Sequence, residues 1–407
     1  MKYIVLVANG MADRSLPALD GRTPLEAART PHIDLLAASA EIGQVQTIPE
    51  GFMPGSDVAN LSILGYDPRQ FYPGRGALES AGMEVHLNEG DVAFCCNLVT
   101  LRDRQKEYAF SELSPRVFLE DPSGGGIEDD EARELIDLLN NLLGSDQIQF
   151  YVGRGYRHLM VWAHGAAKVE CLPPQRLVGR EIIPSFPRGA DKGILKKLVQ
   201  SVFSILSEHP INEARIARGE RPANAVWFWG PGKARTLPSF SERFAKRGAM
   251  VSAVDLLRGL GRRAGMKVID LPGAAGGADT PHAGEVAAAD GALKAHDLVY
   301  LHFQSSDEAR PSGDPRMKVE AIERFDAEIV GPLLSRLKER GPWRLLLLPD
   351  HATLVSTRDP VADPVPFLLC RGLEGGREGR SFSEKEAARS SIFWSEGHRL
   401  IDYFLKG

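Results

Sequence analysis

Short, unbroken apolar runs separated by helical patterns constrain this chain more than any other feature. Tyr3–Val7 comes first, then a helix start at Thr23-Pro24-Leu25-Glu26-Ala27-Ala28 and a second helical run over Ile33–Ala40. Near the other end, Asp297–His302 and Trp343–Leu348 flank an amphipathic stretch from Lys318 to Lys338. A strand that is apolar on both faces must be buried on both, so the pattern predicts a parallel sheet covered by helices on each side. Thr23 can cap its helix, and Pro24 suits the first helical position. Ligands of such sheets collect at the carboxyl ends of strands, where Asn9, Asp307 and Asp350-His351 fall.

The middle reads differently. Val92–Val99, Ile148–Val152 and Leu159–Ala163 are strand-like, Glu131–Leu143 is helical, and the loops are rich in Gly and Pro. This is an α+β lobe inserted into an α/β core. The expected division is a core of residues 1–80 and 190–407 and a lobe of residues 81–189, with Gln175–Lys192 as the return linker.

Length supports more than one unit: 407 residues exceed what one ordinary domain needs. Hydrophobic residues make up 43% and charged residues 25%, which excludes a disordered or fibrous chain. The net charge of -5, with no basic run, argues against nucleic acid as a partner. No window of 18 apolar residues exists, so no membrane is expected. The N-terminal apolar run is short and meets Asn9-Gly10 at once, which reads as a first strand rather than a signal peptide. Cys95 and Cys96 are adjacent while Cys171 and Cys370 stand alone, so neither a disulfide framework nor a metal spacing is present. A reduced, cytoplasmic protein follows as the expectation.

Three segments carry residues suited to chemistry. In Pro54–Pro68, a glycine precedes Ser56, which opens an apolar helical pattern. A hydroxyl there lies at the positive end of a helix, a setting for a nucleophile and a phosphate oxygen. The alternative is that Ser56 or Asp57 caps the helix. In Leu348–Thr353, an apolar strand ends on Asp350-His351, a common way to present metal ligands, and equally a surface turn. His302–Glu308 also follows an apolar strand, and its carboxylates bind metal or cap the next helix.

Taken together, these segments resemble the archaeal-type 2,3-bisphosphoglycerate-independent phosphoglycerate mutases of the alkaline phosphatase superfamily. The likeness spans nearly the whole chain. It rests on Thr23–Ala28, Pro54–Pro68, Gly74-Arg75-Gly76, Cys96–Thr100, Tyr156-Arg157-His158, Trp229–Lys233, Ser252–Leu256, Pro349-Asp350-His351 and Asp363–Phe367. The resemblance implies an alkaline phosphatase-like, doubly wound α/β core with an inserted α+β lobe closing over the site. It implies an isomerase of glycolysis in which a serine, here Ser56, is phosphorylated and returns the group to the other hydroxyl of glycerate. It implies two divalent metals, typically Mn²⁺, with Asp350 and His351 matching ligands of one and Asp307 a ligand of the other.

Several expected residues are replaced. Asn9 stands where the family carries Asp, and Pro311 and Pro360 stand where it carries His. Proline has no side-chain donor atom, and a neutral amide lacks the charge that helps hold a hard dication. Cys95 replaces an arginine, and Gly126 a basic residue, on the substrate side. Arg75, Arg157, His158 and Lys233 remain to meet an anion. The expectation is therefore no cofactor, or one weakly held Mn²⁺ or Zn²⁺, and a repurposed member, a candidate pseudoenzyme, that binds or converts a small anionic ligand. A working mutase acting through Ser56 and a non-catalytic scaffold with a protein partner are the alternatives.

Overall fold

The computed structural model describes residues 1–189, 192–271, 282–304, 313–373 and 379–406. The chain divides into two units, Met1–Tyr72 with Thr236–Gly407, and Pro73–Arg235. Asp307 and Pro311 lie outside the described residues.

The first unit is built on an eight-stranded sheet. Its order is Lys267–Ile269, Gly248–Val251, Leu298–Phe303, Lys2–Ala8, Trp343–Leu348, Val365–Cys370, Ala40–Val45 and Phe393–Trp394. The first five strands run parallel, as the bare apolar runs predict. Val365–Cys370 instead runs antiparallel to both neighbours, so the sheet is mixed. The reason is its connection: residues 349–364 hold a small two-stranded hairpin and no crossover helix, and a parallel return needs one.

Ile4 and Leu6 of the central strand face a layer made by Pro31–Ala38, His282–Ala295, Pro315–Phe325 and Gly331–Lys338. On the other face Tyr3 meets Phe404 of the C-terminal helix edge to face, with ring centroids 5.6 Å apart. Each fully buried Leu, Ile or Val here contributes about 1.5–3 kcal/mol relative to exposure. The predicted helix starts hold: Thr23 accepts from the Glu26 backbone N–H and Pro24 is the first helical residue. The stretch from Lys318 to Lys338 is helical but interrupted by a π-turn over Asp326–Val330. There the buried Asp326 carboxylate accepts from the backbone N–H groups of His32 and Ile33, capping the start of the Pro31–Ala38 helix.

In the second unit, Val92–Asp103 is the central strand of a five-stranded antiparallel sheet. Val117–Asp121, Arg157–Trp162 and Ala225–Lys233 pair with it, and Ile148–Arg154 pairs with Arg157–Trp162. Helices Asp129–Leu143 and Lys192–Leu206 cover one face through Leu135, Ile136, Leu139, Val199 and Phe203. Residues 192–235, expected in the core, belong here because Ala225–Lys233 is a sheet partner of Val92–Asp103 and buries Trp227 and Phe228. Residues 73–80 likewise belong here, since helix Arg75–Gly82 packs on those same strands.

That packing depends on Gly74, whose φ is +92°. A Cβ there would lie 2.2 Å from the Pro231 carbonyl oxygen and 2.5 Å from the Gly232 Cα. Gly74→Ala should cost about 3 kcal/mol from backbone strain and overpacking together. Urea unfolding reads this, and a cost below about 1 kcal/mol contradicts it. Among the described residues, no helix is long and apolar enough to cross a membrane.

Candidate active site

Three neighbouring strands, Leu298–Phe303, Lys2–Ala8 and Trp343–Leu348, end side by side, and Asn9 and Asp350-His351 follow the last two. The Asn9 backbone N–H donates to the Phe303 carbonyl at 2.8 Å, which holds the turn beside the neighbouring strand end. Gly10 follows with φ +70°. Its N–H reaches Asp350 Oδ1 at 3.4 Å, the same oxygen that accepts from the His351 backbone N–H at 2.9 Å.

The helix Ser56–Ile63 carries the predicted nucleophile at its first position. Its cap residue is Gly55, and no side chain caps it. Ser56 therefore does not act as a cap. Its Oγ lies 3.2 Å from His351 Nε2. The other ring nitrogen, Nδ1, lies 3.2 Å from Thr353 Oγ1, so the imidazole is held between two hydroxyls. Asp350 Oδ2 sits 3.6 Å from His351 Nε2 and accepts from Asn60 Nδ2 at 3.1 Å. Tyr72 donates its hydroxyl proton to the Asp57 carboxylate beside Ser56.

The hairpin after Asp350-His351 is fixed by an ammonium. Lys318 Nζ donates to the carbonyls of Ala12 and Thr353 at 2.9 and 2.6 Å, and to Asp13 Oδ2 at 2.9 Å. Pro360 pairs in register with Thr353, so it stands next to the His351 segment but its side chain presents no donor atom.

The metal pair implied by the resemblance can be tested on these atoms. Asp350 Oδ2, His351 Nε2 and Ser56 Oγ are spaced like neighbouring donors to one ion, yet they bring a single carboxylate. Among the described residues, no group of three or more His, Cys, Asp or Glu side chains is arranged to hold a metal. Asn9 is a neutral amide, and Pro360 and Pro311 have no side-chain ligand atom. The described residues by themselves do not supply a two-metal centre.

The predicted anion-binding residues all belong to the second unit. Arg75 is paired with Glu79 at 3.1 Å and lies over the Trp229 ring at 4.8 Å. Trp229 Nε1 donates to Asn97, whose register partner is the exposed Arg157. Lys233 pairs with Val92, five residues along the same strand from Asn97 and on the opposite face. At ~3.4 Å per residue their register positions lie roughly 17 Å apart along the strand. Cys95 is buried, its Sγ beside Gly230.

His158, expected among the anion-binding residues, has a different setting from Arg157. It is buried on the core side of the sheet, and its Nδ1 accepts from the Gly153 N–H at 3.0 Å, so it tightens a loop rather than offering a charge. Burial pushes its pKa down to about 3. Because that lies below the unfolded value, the unfolded chain takes up a proton first as pH falls. The protein should lose about 1.4 kcal/mol of stability per pH unit between 6.5 and 3 from this group, or about 2 kcal/mol at pH 5. His158→Gln should flatten that slope in urea unfolding at pH 7 and 5, and an unchanged slope rejects the assignment.

Asn60, Tyr300, Thr353 and Lys318 complete the site around Ser56, and sequence reasoning did not single them out. Each left a trace: a polar residue inside an apolar helix or strand, or a lysine on a helix face that is otherwise buried.

A family model described as 2,3-bisphosphoglycerate-independent phosphoglycerate mutase matches residues 37–212. The chain is 44% identical over 406 residues to a protein of Geobacter sulfurreducens named a probable 2,3-bisphosphoglycerate-independent phosphoglycerate mutase, covering 100% of both. It is 43% identical over 408 residues to the mutase of that name from Methanothrix thermoacetophila, again covering 100% of both. Among solved structures, a protein from Pyrococcus horikoshii is similar at 29% identity and TM-score 0.76, covering 99% of this chain and 96% of that one. The cofactor-independent phosphoglycerate mutase of Thermoplasma acidophilum is similar at 26% identity and TM-score 0.58, covering 100% and 99%. With identity this high along the full length of both chains, the protein belongs to the 2,3-bisphosphoglycerate-independent phosphoglycerate mutase family.

Proposed function

We propose that the chain is a phosphoryl-transfer protein acting through Ser56, with the interconversion of 3- and 2-phosphoglycerate as its reaction. The observation that carries this reading is the 3.2 Å contact between Ser56 Oγ and His351 Nε2 at the start of a helix with no side-chain cap. Ser56 Oγ attacks the substrate phosphorus while its proton passes to His351 Nε2. The P–O bond to the glycerate oxygen breaks, and that oxygen takes the proton from His351. The second glycerate hydroxyl then attacks the phosphoserine, its proton passing to His351 Nε2 and from there to the displaced Ser56 oxygen as the Ser56 O–P bond breaks. First-turn N–H groups of the Ser56 helix face the phosphoryl oxygens throughout. In the tautomer this step requires, Nδ1–H faces Thr353 Oγ1, 3.2 Å away, and Nε2 is free to receive the proton.

A second reading is favoured by Asn9 and Pro360: a family member that binds a small anion without transferring it. The two separate in one assay. Purified protein is given 3-phosphoglycerate, and formation of 2-phosphoglycerate is followed with chelator and with added Mn²⁺. Turnover supports the mutase reading. Binding of 3-phosphoglycerate by calorimetry without turnover in either condition supports the second. For that second reading, Arg157→Ala should weaken the binding by about tenfold and added salt should weaken it further.

A further inference from the structure

The Ser56 and His351 segments come from parts of the chain almost three hundred residues apart, and one amide joins them. Asn60 lies one helical turn after Ser56 and is fully buried. Its Nδ2 donates both to the Ser56 carbonyl at 2.8 Å and to Asp350 Oδ2 at 3.1 Å. Its Oδ1 accepts the Tyr300 hydroxyl proton at 2.6 Å, and Tyr300 is buried on the neighbouring strand Leu298–Phe303. Asp350 Oδ1 in turn accepts the His351 backbone N–H.

We infer that Asn60, oriented by Tyr300, is the positioning residue that sets Ser56 Oγ against His351. The Tyr300 hydroxyl fixes which end of the amide faces which way. With Oδ1 committed to Tyr300, Nδ2 must face Asp350. A reversed amide would set two acceptor oxygens together in a buried site, which is costly. The same Nδ2 group grips the carbonyl of the nucleophile itself. The path Ser56 C=O, Asn60, Asp350, His351 N–H is thus continuous through hydrogen bonds. The hydrogen bonds of Asn60 and Tyr300 go to the Ser56 carbonyl, to Asp350 and to each other, and not to Ser56 Oγ or the imidazole, so their effect is on placement and not on the chemical step. A side chain misplaced by about 1 Å loses roughly 10²-fold in rate.

The inference takes Ser56 as the nucleophile, so its test must not depend on turnover of phosphoglycerate. The rate at which a fluorophosphonate ester modifies Ser56 can be followed by intact and peptide mass spectrometry. The Ser56 oxygen displaces fluoride at phosphorus, and its proton goes to His351. Tyr300→Phe keeps the ring and loses only the hydroxyl, and Asn60→Leu keeps the shape and loses the amide. Each is expected to slow modification of Ser56 by tenfold or more. Tyr300→Phe should shift the thermal midpoint by only a few degrees, so that lost reactivity does not track lost folding. Equal rates in wild type, Tyr300→Phe and Asn60→Leu overturn the inference, as does a wild-type Ser56 that resists the probe. If the variants slow the probe while wild type shows no turnover of 3-phosphoglycerate, the positioning role stands and the mutase reading falls. Where turnover is measurable, the same variants should lower kcat with KM nearly unchanged.

Discussion

Ser56→Ala is expected to remove phosphoryl transfer, with a loss on the order of 10³-fold or more, because it removes the hydroxyl that lies 3.2 Å from His351 Nε2. Asp57 is adjacent in sequence, but its carboxylate is occupied by the Tyr72 hydroxyl. Water could take the place of the serine oxygen, but it would send the phosphoryl group to solvent and turn a mutase into a slow phosphatase. His351→Gln keeps a polar side chain and loses the proton acceptor, and should cost about 10²–10⁴-fold. Thr353→Val, which removes the partner of Nδ1, should cost less than His351→Gln. Rapid-quench experiments with labelled 3-phosphoglycerate, followed by mapping of the phosphopeptide, read all three. Label on a residue other than Ser56, or turnover retained in Ser56→Ala, sinks the assignment.

The sequence speaks clearly where a residue's role follows from its neighbours in the chain. A glycine before a serine that opens an apolar helix is local, as is an apolar strand ending in Asp-His, and Ser56 and His351 are found within hydrogen-bond distance. The strands Tyr3–Val7 and Trp343–Leu348 were legible for the same reason, since double burial leaves an unbroken apolar run. What could not be read depends on partners distant in sequence. Val365–Cys370 looks like any buried strand, and only its hairpin connection turns it antiparallel. Ala225–Lys233 is apolar enough for either sheet, and its pairing with Val92–Asp103 decides which unit owns it. His158 and Arg157 are adjacent, yet strand alternation sends one into the core and the other to the surface. Arg75, Arg157 and Lys233 were grouped by charge, and the register separates Arg157 from Lys233.

Lys318 shows the limit most plainly, because a lysine on an amphipathic helix normally reads as solvent-exposed. Here the side chain is 3% exposed and its partner Asp13 is 1% exposed. The ammonium finds three acceptors, and Asp13 Oδ2 also accepts the Val355 N–H at 3.0 Å. The two loops that these groups tie together are the one after Lys2–Ala8 and the one after Trp343–Leu348, which carry Asn9 and Asp350-His351. Lys318→Met fills similar volume but leaves the Asp13 carboxylate buried without its cation and takes the ammonium donor from the Ala12 and Thr353 carbonyls. The cost should be about 3–5 kcal/mol, since breaking one side of a buried pair costs far more than the pair itself contributes. Adding Asp13→Leu to Lys318→Met should recover part of that loss, because no unpaired charge is then buried. Urea unfolding of the two single variants and the double variant measures it. A Lys318→Met cost below about 1 kcal/mol means that water or a neighbouring cation reaches Asp13. A double variant less stable than either single would mean that the two side chains hold the loops through separate contacts, and not as an ion pair.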